Sequence, residues 1–179
     1  EAIKDCLPVL HKMKSQGIIK RIGCGSNVAI THENFLDKTE IDILMVAGRY
    51  TLLDQSASNS LFSKAIEKSV EVELASPFNS GVLASGAKDK KARFDYLPVT
   101  EEVFEKVKRI EKICNSYNVS IKCAALNYSL SHPAVKRLIL GLVDPDGLHS
   151  NISDLDVKIP NNLWQDLSEL GIQNPLGGN

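Results

Sequence analysis

The chain has 179 residues, with 21 Lys+Arg against 22 Asp+Glu and 43% apolar residues. That length suits a single domain with a proper core, here taken as residues 1–179. A net charge of -1 carries no basic excess for nucleic acid or anionic lipid, and no apolar run is long enough to span a bilayer. Cys6, Cys24, Cys114 and Cys123 form no CxxC pair and each sits in an apolar run. They are expected to be buried free thiols in a reducing compartment, the cytoplasm.

In chain order, Ile3, Cys6, Leu7, Leu10 and Met13 repeat at helical spacing, and Gly17 ends that run. The first residue, Glu1, already lies inside this pattern and no Met precedes it, so the chain reads as part of something longer. Residues 18–24 are β-rich and close on Gly25, Ser26 and Asn27, and residues 29–36 suit a short helix. "IDILMVA", residues 41–47, predicts a strand buried on both faces. Leu61, Phe62, Ala65 and Ile66 mark a helix, residues 70–75 a strand, and the Lys-rich stretch 86–97 an excursion loop.

Thr100 is placed to cap the next helix. Its apolar face is Val103, Val107, Ile110, Cys114 and Tyr117, and Glu101 and Glu102 occupy the dipole-favoured first turn. Residues 122–130 continue as a helix stopped near Pro133, and residues 136–140 form the last strand. "DPDGLHSN" opens a short helix at 144–151, and residues 161–170 close the chain as another.

Strands thus alternate with helices four times, which argues for parallel strands in an open doubly wound sheet or part of a (β/α) barrel. "GCGSNV" lacks the third glycine of a dinucleotide fingerprint, since Val28 stands there. Ligands in such folds gather at the carboxyl ends of strands. Four such ends are rich in small or polar residues: 25–27, 49–51, 76–81 and 141–151.

These segments together resemble the aldo-keto reductases. "HKMKSQGIIKRIGCGSN" is similar to that family's "L..L...GKVR.IGVSN", and "VAGRYTLLDQ" to its "V.YNLLD". "ASPFNSGVLASG" resembles "YSPLG.G.L.G", and "AALNYSLSHPAVKRLILG" resembles "LAL.W.L..P.V..VIPG". The forms "GRYTLL" and "PFNSG" look most like the NAD-dependent sugar dehydrogenase branch, with D-threo-aldose, L-fucose and pyridoxal dehydrogenases.

The resemblance implies the C-terminal half of an eight-stranded (β/α)8 TIM barrel, its strands 5–8, with the N-terminal half absent from this sequence. It implies NAD(P)-dependent oxidation or reduction of a sugar or related aldehyde. By resemblance, Ser26 and Asn27 hold the nicotinamide carboxamide. Ser76, Pro77, Phe78, Asn79, Ser80 and Gly81 form the pyrophosphate loop. Leu142, Val143, Asp144 and Asn151 meet the adenosine end, and Tyr50 and Phe78 stand at the substrate rim. His149 lies in the last of these loops, where it could meet ligand.

The family's catalytic Asp, Tyr, Lys and His fall on the strands not present, so no catalytic residue is assigned. Ala75 replaces a nicotinamide-stacking aromatic and Ala47 a carboxamide-binding Gln. Asp144 and Asp146, with no Lys or Arg in residues 141–151, favour NAD over NADP because a 2′-phosphate wants a cationic clamp. Glu73 shares a strand face with Ala75 and is expected to point, unpaired, into the barrel interior. Two unpaired strand edges predict self-association or pairing with an N-terminal half. The alternative is a catalytically inactive half-barrel remnant that binds a nucleotide or a protein.

Overall fold

A computed structural model of the chain describes residues 2–88, 92–142 and 144–177. A π-helical turn, Ala2–Cys6, leads into helix α1, Leu7–Ser15, which Pro8 can enter because the first turn needs no N–H there. Strand β1, Gly23–Ser26, is followed by α2, Ala29–Lys38, and β2, Ile43–Ala47, by α3, Leu61–Glu67. Strand β3, Glu71–Ala75, runs into the short helix α4, Val82–Ser85. An antiparallel ribbon of β4, Arg93–Phe94, and β5, Leu97–Pro98, occupies the excursion. Helices α5, Glu101–Ser116, and α6, Ile121–Leu130, then precede β6, Val135–Ile139. Helices α7, Pro145–Leu155, and α8, Asn161–Ser168, follow.

The sheet order is β1-β2-β3-β6, every pairing parallel. Each crossover carries helix, as parallel strands require. The register aligns the carboxyl ends: Ser26 pairs with Val46, Ala47 with Ala75, and Ala75 with Ile139. Gly23 is needed where β1 approaches β2, because a Cβ there would stand 2.8 Å from the Ile43 carbonyl oxygen. Thr100 caps α5 as expected, its side chain accepting from the Val103 N–H.

Period-two alternation then sorts the side chains. Leu44, Val46, Val72 and Leu74 are fully buried with Leu36, Phe62, Ala65, Ala124 and Tyr128 of the helices. The opposite face is open among the described residues. Met45 is 40% and Ile139 37% exposed there, so β2 is covered on one face and not on both.

Glu73 lies on this open face, but it is not unpaired. Arg137 of β6 reaches Glu73 Oε1 at 2.9 Å and Glu71 Oε2 at 3.1 Å, and Arg21 adds a third contact to Glu71 at 2.9 Å. The cation comes from the neighbouring strand of the same sheet. The thiols also divide: Cys114 and Cys123 are buried and Cys24 half-buried, but Cys6 is exposed on the entry turn and departs from the expected burial. Burial pushes the Cys114 thiol up to about 12.

Candidate functional site

Strand ends in register bring three loops and one helix start to a single edge. At the end of β1, the Ser26 hydroxyl accepts from the Val28 N–H at 3.0 Å and Asn27 is exposed. His32, fully buried on α2, contacts the Ser26 carbonyl through Nε2 at 3.0 Å. Burial lowers its pKa, the bond to Ser26 opposing only in part. It is therefore neutral, with Nε2–H donating and a buried Nδ1 that has no partner among the described residues.

At the end of β2, Gly48 takes a φ of +66° and donates its N–H to the Ala75 carbonyl at 2.9 Å. Next to it, Arg49 joins three segments. Its Nε donates to the Asn27 carbonyl at 2.6 Å, and its terminal nitrogens reach Asp54 at 2.9 Å and Asp95 at 2.6 Å. Burial would disfavour the charge, but the bonds to Asp95 and Asp54 outweigh it and Arg49 is held firmly protonated.

At the end of β3, residues 76–81 form a tight, left-handed loop. Ser76, Asn79, Ser80 and Gly81 have φ of +56°, +44°, +61° and +107°. Three non-glycine residues there are costly, and such conformations persist where surrounding contacts enforce them. Asn79 supplies one contact, its Nδ2 donating to the Gly48 carbonyl at 3.3 Å. The ribbon supplies another, the Tyr96 N–H donating to the Ser80 hydroxyl at 3.0 Å. The N–H groups of Phe78 and Ser80 have no acceptor among the described residues, and the buried Asn79 Oδ1 has no donor.

Beyond β6, Leu142 is exposed and Asp144 caps α7, accepting from the Gly147 N–H at 2.6 Å. Val143 lies outside the described residues. Asn151 is buried on α7, its Oδ1 without a partner among the described residues. His149 is exposed on the same helix. Lys122 of α6 reaches this region, bonding Ser150 at 2.7 Å and pairing with Asp154 at 3.0 Å.

One expected rim residue is elsewhere. Tyr50 is 1% exposed, stacked on Tyr128 with centroids 4.9 Å apart and set edge-on to Phe62 at 5.2 Å. Its hydroxyl meets Ser131 at 3.3 Å inside the core. The chain turns at Gly48, and that turn sends Arg49 to the loops and Tyr50 under the helices. Phe78 is half-buried against the core. The sequence drew attention to residues 49–51 but did not distinguish Arg49, and nothing in it marked His32 or Asp95. Their partners lie 6 to 46 residues away. A surface concavity lined by Gln55, Asn59, Gln165 and Ser168 shares no residue with these strand-end segments.

Comparison with known proteins gives a consistent set of likenesses. The sequence pattern of the aldo/keto reductase family matches residues 1–172. D-threo-aldose 1-dehydrogenase from Pseudomonas sp is 32% identical over 168 residues, 94% of this chain and 51% of that protein. Pyridoxal 4-dehydrogenase of Microbacterium luteolum is 29% identical over 163 residues, 91% of this chain and 47% of that protein. The holo form of an aldo-keto reductase from Bacillus halodurans superimposes with a TM-score of 0.74 at 18% identity, covering 95% of this chain and 56% of that one. This chain spans about half the length of the curated relatives it matches.

Proposed function

The chain belongs to the aldo/keto reductase family, and from that premise we propose that it is the C-terminal, cofactor-binding half of an oxidoreductase barrel that uses NAD on a sugar or related aldehyde. The observation that carries this reading is the gathering of Ser26, Asn27 and residues 76–81 at one edge of a parallel sheet, through strands whose ends are in register. The donor set fits a dinucleotide. The N–H groups of Phe78 and Ser80, without an acceptor among the described residues, and the hydroxyls beside them suit pyrophosphate oxygens. By resemblance Asn151 stands at the adenosine end, its buried Oδ1 without a donor among the described residues. When bound, such a cofactor supplies the redox chemistry; these residues supply its placement. Phe78 remains the candidate for the substrate rim. The sugar or aldehyde substrate follows the names of the relatives, and the catalytic acid would come from the half barrel that pairs with this one. Free thiols at all four cysteines suit the cytoplasm.

The adenosine end favours NAD. Asp144 and Asp146 stand at the start of α7, and Lys122, the cation that reaches that helix, is already spent on Asp154. Two carboxylates would repel a 2′-phosphate. Titrating the chain with NAD and NADP in turn tests both statements. NAD is expected to bind at least several-fold more tightly, and Asn151→Leu to weaken both. Tighter NADP binding would remove the preference, and binding of neither would remove the cofactor role.

A further inference from the structure

We propose that Arg49 is an anion-binding group of this cradle, and that the Asp95 carboxylate sits on it as an internal stand-in for a phosphate of the dinucleotide. The inference rests on the dinucleotide reading above, and it adds a binding residue and a built-in competitor to it.

Arg49 is 16% exposed, and its two carboxylate partners differ in kind. Asp54 belongs to the same loop. Its second oxygen accepts from both the N–H and the hydroxyl of Ser56, so it is woven into local structure. Asp95 comes from the tip of the β4–β5 ribbon, 46 residues away in sequence, and is 33% exposed. Its Oδ2 takes the guanidinium at 2.6 Å, while its Oδ1 has no donor among the described residues. That free oxygen lies over the junction of two strand ends. A Cβ placed on Gly48 would stand 3.8 Å from Asp95 Oδ1, 3.3 Å from Asn79 Nδ2 and 4.0 Å from the Ser76 Cβ. A negative oxygen is thus held beside the residues proposed to hold pyrophosphate. Carboxylate and phosphate present the same acceptor edge to a guanidinium.

The ribbon is anchored at its base, where Ala92, Phe94 and Val99 meet the core, and exposed at its tip. Its tip places Asp95 and Tyr96 at φ of +49° and +67°, a turn that favours Asn-Gly over two side-chain-bearing residues. Tyr96 and Leu97 are 68% and 67% exposed. Among the described residues, the ribbon's polar ties to the cradle are the Tyr96–Ser80 bond, a bridge from Arg93 to Gly81, and the Asp95–Arg49 pair, while Phe94 at its base packs against the core. With Asp95 down, one guanidinium stands between two carboxylates and the site repels an anion. With Asp95 lifted, Arg49 keeps Asp54 and has one N–H edge free.

Calorimetric titration of the whole chain with inorganic pyrophosphate and with ADP tests this. Asp95→Asn keeps the shape and removes the charge. It is expected to bind both probes about tenfold more tightly than the parent chain, with a steeper loss of affinity in salt. Adding Arg49→Gln should abolish the gain. Unchanged or weaker binding by Asp95→Asn would overturn the proposal, as would a gain that survives Arg49→Gln. Asp95→Ser is the second variant; if both it and Asp95→Asn fail to fold, Asp95 is a structural residue and the proposal falls. A gain for pyrophosphate in a chain that binds no NAD would uphold the anion site and refute the dinucleotide reading. NAD binding with no gain would do the reverse.

Discussion

The two faces of the sheet are made from the same strands and obey different rules. On β3, Val72 and Leu74 are fully buried beneath helices, while Glu71 and Glu73, one residue out of phase, stand on the open face with Arg137. On β2, Leu44 and Val46 are fully buried and Met45 is 40% exposed. One face is closed by apolar packing that the chain supplies for itself. The other carries ion pairs between strands and leaves apolar side chains uncovered. A face of that kind suits a partner surface that completes a barrel interior, which is the reading proposed above for the missing half.

The largest expected effect lies on the closed face. Leu74→Ala should cost roughly 2–5 kcal/mol, because the site is fully packed and a cavity would remain. Met45→Ala, on the open face of the adjacent strand, should cost far less in the isolated chain. Urea unfolding of the two variants checks the contrast. If they lose similar stability, the open face is covered in solution and the comparison fails.

A second, smaller effect tests the closed face with protons. Burial lowers the pKa of His32 and of His132, which packs against Phe62 with ring centroids 4.6 Å apart. Both therefore take up protons more readily in the unfolded chain than in the folded one. Stability from this source is present above the unfolded value of 6.5 and declines as pH falls below it toward the lower folded values. Denaturation midpoints measured between about pH 7.5 and about pH 5 should fall. His32→Gln should flatten that fall, and an unchanged slope would show that His32 is accessible. The open face predicts no such slope from histidine, since none is among its ion-paired groups.

Much of the closed face was legible in the sequence. The spacing of Val107, Ile110 and Cys114 gave α5 its buried stripe, and Thr100 and the first-turn acids gave its start, because helix periodicity and capping are local. The alternation of strand and helix gave the parallel sheet, and the aligned strand ends put the expected loops at one edge. The open face was misread for a physical reason. An apolar run such as "IDILMVA" has the same composition whether one or both sides are covered, so the exposure of Met45 is a property of what lies opposite. Glu73 read as unpaired because Arg137 is 64 residues away. Arg49 and Tyr50 were separated only by the turn at Gly48, which sends neighbours into different environments.

The smallest effect is the one that tests the open face itself. Arg137 is half exposed and Glu71 39% exposed, so water and salt screen most of their attraction. In the isolated chain, Arg137→Gln should leave the melting temperature nearly unchanged, and more so in high salt. Covering the face removes that water. The same substitution would then strand Glu71 and Glu73 without their shared cation against a dry partner surface, where losing one member of a pair is costly. Arg137→Gln should therefore be silent in this chain alone and damaging once a second half-barrel or a second copy is bound. Measuring its melting temperature at low and high protein concentration separates the two states. A large loss at low concentration would mean that Arg137 already works in a buried setting, and that this face is closed without a partner.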